Sequence, residues 1–266
     1  MKPCRSTEER WVKMLLQTVD LNKRFGGLKV ITDLNMQVDE GEIFGLIGPN
    51  GAGKSTFFNL VTGVLKPNSG SIIYDGVDIT HKKPHQVAAL GIGRTFQLNP
   101  LFGEFTVFDN IAAAHYLHPH TNVLNIYFNT KKYRENEKAV VKSTDEIIES
   151  LRLTSMRDEL AKNLPHGYQK MLGVARALAI GPKLLMLDEP LGGMNPEEIY
   201  FTIDTIKAMR DKGMTVIVVE HNMQILTICD KVTVISFGEK ICEGTPEVVR
   251  ENEDVIRTYL GGVKYD

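Results

Sequence analysis

The sequence predicts an α/β fold: a mixed central sheet whose strands are separated in sequence by a helical subdomain. Three observations lead there. A short apolar run, residues 43–47, feeds a glycine-rich stretch and then residues that can continue as a helix, a strand-loop-helix pattern. From about residue 106 to 180 the periodicity becomes helical. At Leu184 strands alternating with helices resume, so one sheet is divided by a helical insertion.

In chain order, residues 15–21 and 30–38 read as strands; in the second, Ile31, Leu34, Met36 and Val38 supply the apolar positions. Between them lies Lys23-Arg24-Phe25-Gly26-Gly27, where Phe25 either packs inward or stacks on a base. Residues 71–74 form a strand, and Asp75-Gly76 signals a hairpin. Residues 84–90 suit a short helix stopped at Gly91, and Thr106 can cap a helix running through Ala114. Val140, Val141, Thr144, Ile147, Ile148 and Leu151 recur at helical spacing. Residues 167–180 form another helix, ended by Gly181-Pro182. Residues 184–188 are a buried strand, 196–212 a helix closed by Gly213, and 215–219 a strand followed by a helix over 222–229. Residues 232–235 and 239–242 pair around Gly238, and 246–260 make a helical tail.

Composition narrows the function. The chain has 266 residues, is 42% hydrophobic and carries a net charge of -2, which gives no general attraction for nucleic acid. No run approaches the ~18 apolar residues of a membrane span, and the polar segment 1–10 lacks the apolar core of a signal peptide. Cys4, Cys229 and Cys242 are odd in number and widely spaced, fitting a reducing compartment and no disulfide or zinc framework. His115, His118 and His120 have no Cys, Asp or Glu beside them and read as a surface loop cluster.

The chemistry begins at Gly48-Pro49-Asn50-Gly51-Ala52-Gly53-Lys54-Ser55-Thr56, which fits G-x-x-x-x-G-K-[ST]. Glycines let successive backbone N–H groups converge on phosphate oxygens, and a following helix aims its positive end at the same point. Lys54 should reach the β- and γ-phosphates, and Ser55 should offer its hydroxyl to Mg²⁺. Farther on, Asp188-Glu189 ends an apolar strand. Buried carboxylates need partners. Mg²⁺ is one for Asp188, with Glu189 polarising an attacking water; a helix-capping Asp beside a surface Glu is the alternative. His221 follows another apolar strand, where it either meets the γ-phosphate or is a structural histidine.

Taken in order, the phosphate loop, Gln97, a glycine-containing segment at 164–169, Asp188-Glu189 and His221 resemble the ATP-binding subunits of ABC transporters over residues 15–260. The resemblance implies a nucleotide-binding fold with an N-terminal antiparallel β region. Its core would span residues 1–96 and 183–245, its helical subdomain 97–182, and its tail 246–266. It implies that Phe25 stacks on adenine and that Asn50, Gly51, Ala52, Gly53, Lys54, Ser55 and Thr56 hold the phosphates. Ser55, Gln97 and Asp188 would serve Mg²⁺, Glu189 would be the general base, and His221 would brace the γ-phosphate. His166 and Gly167 would act across a dimer on a second chain's ATP.

The segment Leu164-Pro165-His166-Gly167-Tyr168-Gln169 departs from the usual LSGGQ: Pro165 replaces a serine and His166 a glycine. One hydroxyl contact is thereby lost, while the helix N-terminus is kept. Asn195 stands where an aspartate is common. Residues 91–97, 116–138, 189–196 and 257–261 resemble the branched-chain amino acid importers in particular. That implies ATP and Mg²⁺, transmembrane permease subunits, a second ATP-binding subunit, a solute-binding protein met indirectly, and a peripheral place on the cytoplasmic face of the membrane. Alternatives within the family are lipopolysaccharide or urea transporters and non-transport ATPases. Long heptads and duplicated ATPase units, the marks of the latter, are absent from the sequence. A nucleotide-holding module without turnover is the remaining alternative.

Overall fold

The computed structural model describes residues 13–96, 101–116, 123–220 and 223–260. The chain opens with two long strands, β1 (Met14–Phe25) and β2 (Leu28–Asp39), which turn at Gly26 and pair antiparallel. They run further than the apolar pattern predicts, because register shifts along the pairing let Lys23 and Arg24 stay within the ladder. Next come β3 (Ile43–Ile47), α1 (Lys54–Val61), β4 (Ser69–Tyr74), β5 (Val77–Asp78), α2 (Pro84–Ala89) and β6 (Ile92–Arg94). Strands β2-β1-β4-β5 form one antiparallel sheet.

The helical stretch contains α3 (Val107–His115), α4 (Val123–Tyr127), α5 (Lys131–Ser150) and α6 (His166–Ala179). Thr106 caps α3 as the sequence predicts: its hydroxyl oxygen accepts from the Asp109 N–H at 3.0 Å, and the hydroxyl donates to the Asp109 carboxylate at 2.7 Å. After it come β7 (Leu184–Asp188), α7 (Pro196–Asp211), β8 (Thr215–Glu220), β9 (Lys231–Ser236), β10 (Glu239–Gly244), α8 (Pro246–Glu251) and α9 (Glu253–Leu260). Two local expectations change. The helix expected over 222–229 is a 3₁₀ segment, Met223–Thr227, within the described residues. The tail breaks at Asn252, whose extended backbone ends α8 and whose side chain accepts from the Asp254 and Val255 N–H groups.

The second sheet runs β10-β9-β3-β8-β7-β6, parallel except for the β10–β9 pair. Its central strands β3, β7 and β8 are buried at every position, as parallel strands covered on both faces must be. Their alternation divides two cores. Ile43, Ile47, Leu185, Leu187, Val216 and Val218 face Val107, Ile111, Ile148, Leu172 and Ile206 of the helices. Phe44, Leu46, Leu184, Met186, Ile217 and Val219 face α1, through Phe57, Phe58, Leu60 and Val61, and the antiparallel sheet, through Leu34, Met36 and Val38. In register, Ile47 lies opposite Glu220 and Asp188 opposite Val219. The C-terminal ends of three parallel strands therefore stand side by side, the place where open α/β sheets collect ligands.

Candidate functional site

The loop between β3 and α1 is shaped by side chains it lacks. A Cβ on Gly48 would lie 2.3 Å from the Ile235 carbonyl oxygen, and one on Gly53 would lie 2.7 Å from that of Val30. Gly53 also has φ +104°, in the left-handed region, where it precedes the first residue of α1. The Gly238 N–H bonds the Ala52 carbonyl at 3.1 Å, fastening the loop to the turn between β9 and β10. Asn50, Gly51 and Ser55 are exposed, Thr56 is half-buried, and Ala52 is buried.

Lys54 curls back over this loop and donates to the Gly48 carbonyl at 2.6 Å and the Pro49 carbonyl at 3.0 Å. Its side chain is buried. That burial pulls its pKa down, while the carboxylates of Glu189, Asp188 and Glu220 oppose the shift. The charge of the ammonium is thus favoured by the acids at, and just beyond, the ends of β7 and β8.

Asp188, at the last position of β7, is 6% exposed. Its Oδ2 accepts from Arg94 Nη2 at 3.1 Å, and its backbone N–H donates to Thr95 Oγ1 at 3.0 Å. Its Oδ1 is buried with no hydrogen-bond partner. Burial raises the Asp188 pKa, and Arg94 pulls it back. Arg94 also donates to Asn59 at 2.7 Å and Thr62 at 3.2 Å, and its guanidinium lies over the rings of Phe58 and Phe96. One arginine thus joins β6, α1 and β7 directly behind the phosphate loop.

Glu189 follows with φ +48°, uncommon outside glycine. Its N–H donates to the Val219 carbonyl at 2.9 Å, and its own carbonyl accepts from Lys170 Nζ at 2.8 Å. Glu220, fully buried at the end of β8, accepts from the Leu191 N–H at 2.7 Å and so fixes the chain two residues beyond Glu189.

Lys54, Asp188 and Glu189 are therefore brought together. Phe25 ends β1, 47% exposed, with Lys23 Nζ 5.1 Å from its ring centroid, so its face is not committed to the core. His166 and Gly167 open α6. A Cβ on Gly167 would meet Glu198 Oε1 at 2.4 Å, and Gly193 lies beside the His166 ring, so these residues border the segment after β7. Gln97 and His221 lie outside the described residues. Sequence reasoning missed Arg94, Lys170 and Glu220 as site residues. Glu220 had a signal, an acid closing an apolar strand as Asp188 does. Arg94 had a weaker one, a cation within Gly91-Ile92-Gly93-Arg94.

Comparison with known proteins agrees with this geometry. The ABC transporter family model matches residues 31–192, and a model described as branched-chain amino acid ATP-binding cassette transporter matches 239–265. The chain is 38% identical to the high-affinity branched-chain amino acid transport ATP-binding protein BraF of Pseudomonas aeruginosa, covering 93% of this chain and 98% of that one. It is 36% identical to its counterpart LivG of Escherichia coli, with the same coverage. The lipopolysaccharide export ATP-binding protein LptB of Haemophilus influenzae is also 36% identical, over 93% of this chain and 97% of that one. Among solved structures, the ADP conformation of an ABC transporter's ATP-binding cassette superposes with a TM-score of 0.80 at 33% identity, covering 93% of this chain and 99% of that one. The chain belongs to the ATP-binding, ATP-hydrolysing cassettes of ABC transporters, in the branched-chain amino acid transport family.

Proposed function

We propose that the chain hydrolyses ATP to drive uptake of branched-chain amino acids through a membrane permease, paired with a second ATP-binding subunit. The observation that carries the catalytic part is the buried, unpartnered Asp188 Oδ1, which shares its strand end with Glu189 and faces Lys54. A buried acceptor without a partner is costly, and a Mg²⁺ ion satisfies it. Ser55, exposed beside Lys54, and Gln97 would complete the protein's ligands. Bound there, Mg²⁺ neutralises charge on the β- and γ-phosphates.

The chain's own residues do the rest. Backbone N–H groups from Asn50 to Thr56 bind the phosphates, and Lys54 exchanges its two loop carbonyls for phosphate oxygens. Phe25 offers its free face to the adenine. Glu189 takes the proton of the attacking water, which His221 orients. In a head-to-tail pair the N-terminus of α6, with His166 and Gly167, points its N–H groups at the partner's nucleotide. Pro165 supplies no hydroxyl there, so the ATP-driven pair is weaker than with a serine.

The cargo reading rests on the branched-chain family match over residues 239–265 and on the near-full-length identity to BraF and LivG. Glu189→Gln should retain ATP binding and pairing while turnover falls by about two orders of magnitude or more, the scale of losing a general base. Turnover at the unaltered rate would remove Glu189 from that role. Assembled with its permease and solute-binding protein in liposomes, the ATPase should be stimulated by leucine, isoleucine or valine. Stimulation by another solute class would redirect the cargo assignment and leave the ATPase intact.

A further inference from the structure

Lys170 lies one turn inside α6, the helix that starts at the signature segment, residues 164–169, where LSGGQ is usual, and its side chain turns back to the end of β7. There its Nζ donates to the Glu189 carbonyl at 2.8 Å. A Cβ on Gly192 would stand 3.1 Å from that Nζ and 3.7 Å from the same carbonyl oxygen. The missing side chain at residue 192 is thus what leaves room for the ammonium. The Gly192 N–H points at this carbonyl too, at 3.4 Å. Glu189 needs such holding, because its left-handed backbone is maintained by its surroundings rather than by its own preference. Its amide is tied to β8 through Val219, and its carbonyl to the signature helix through Lys170. Burial lowers the Lys170 pKa, and the carboxylates of Glu220 and Glu189 oppose the shift and favour the charged donor.

We propose that Lys170 is a positioning residue that ties the signature helix to the backbone of the general base in the same chain, so that Glu189 is aimed only while α6 is seated. The proposal rests on the reading of Glu189 as the base. It gives α6 two duties at opposite ends of one turn. The N-terminus faces the partner's nucleotide, and Lys170 holds this chain's own catalytic strand end. A displacement of α6 by the partner's nucleotide is therefore felt at Glu189 through one charge-assisted bond.

The test uses the full-length chain, with kcat and KM for ATP measured beside calorimetric binding of Mg²⁺-ATP on the Glu189→Gln background. Lys170→Met should lower kcat about tenfold, the scale of one lost bond to a charged donor, with ATP affinity changed less than about twofold. Lys170→Arg, which keeps a cationic donor, should recover most of the loss. If Lys170→Met does not fold, Gly192→Ala carries the test: its methyl crowds the ammonium and should lower kcat about threefold without weakening ATP binding. An unchanged kcat in the folded Lys170→Met chain, or in Gly192→Ala where that chain does not fold, overturns the proposal, as does a parallel fall in affinity and kcat that arginine fails to rescue. The underlying reading fails separately, if Glu189→Gln hydrolyses ATP as fast as the unaltered chain.

Discussion

The loop after β3 and the segment after β7 leave neighbouring parts of one sheet edge, yet they are held by opposite means. The first is shaped by backbone and by side chains that are missing: Gly48 and Gly53 let it pass within reach of the Ile235 and Val30 carbonyls. The second is shaped by side chains from elsewhere. Arg94 holds Asp188, Lys170 holds the Glu189 carbonyl, and Glu220 holds the Leu191 amide. A loop set by its own backbone keeps its shape without help from distant side chains. A carboxylate site assembled from β6, α6 and β8 is only as well placed as those three elements.

The largest expected effect breaks the second kind of support. Arg94→Met strands Asp188 among buried neighbours; removing one partner of a buried ion pair costs about 3–5 kcal/mol. Urea unfolding should show it, and Arg94→Met with Asp188→Asn should cost less than Arg94→Met alone. A loss below ~1 kcal/mol, typical of an exposed pair, would mean that the ion pair does not hold this strand end. Next comes the first kind of support. Gly48→Ala drives a methyl against a carbonyl that cannot move independently, an overpacking worth about 1–3 kcal/mol, with nucleotide binding lost as the loop shifts. Gly51→Ala sharpens the contrast: nothing stands near its Cβ, so only its left-handed φ of +81° is strained, at about 1 kcal/mol. Thermal unfolding and calorimetry on the two variants separate crowding from backbone strain. Equal losses would show that the close approach at Gly48 is not what matters.

The same contrast explains what was legible. The phosphate loop is nine consecutive residues whose chemistry is local, so the sequence pattern announces it. The strand-helix order was legible from short, continuous apolar runs, because β3, β7 and β8 are buried on both faces. Asp188 and Glu189 were visible as acids ending an apolar strand. Their supports were not: Arg94 precedes Asp188 by 94 positions and Lys170 precedes Glu189 by 19, and no periodicity links residues that meet only in the folded chain. The 3₁₀ segment after β8 escaped for a related reason. Its apolar spacing suits an α-helix, and tertiary context decides between the two.

Phe25 lies between the two cases, a single exposed ring whose role depends on a ligand. Phe25→Ala should leave stability within about 0.5 kcal/mol, since the ring is half in solvent. If the ring stacks on adenine, ATP affinity should fall about tenfold, near the low end of what base stacking contributes. A change in stability with unaltered affinity would return Phe25 to a structural role.

The smallest expected effect is that of Glu220→Gln, at the point where the two regions meet. Glu220 lies opposite Ile47, the last residue before the phosphate loop, and its carboxylate accepts from Leu191 beyond Glu189. Full burial of a carboxylate is costly, and the facing ammonium groups of Lys54 and Lys170 offset that cost. Glu220→Gln keeps the acceptor for Leu191 and removes both the burial cost and the attraction, so stability should change by less than about 1 kcal/mol. Glu220→Ala also strands the Leu191 N–H and should lose about 1–3 kcal/mol more. If glutamine costs as much as alanine, it is the charge rather than the hydrogen bond that holds the segment after β7. The two ends of the site would then be coupled through Lys54 as well as through the backbone.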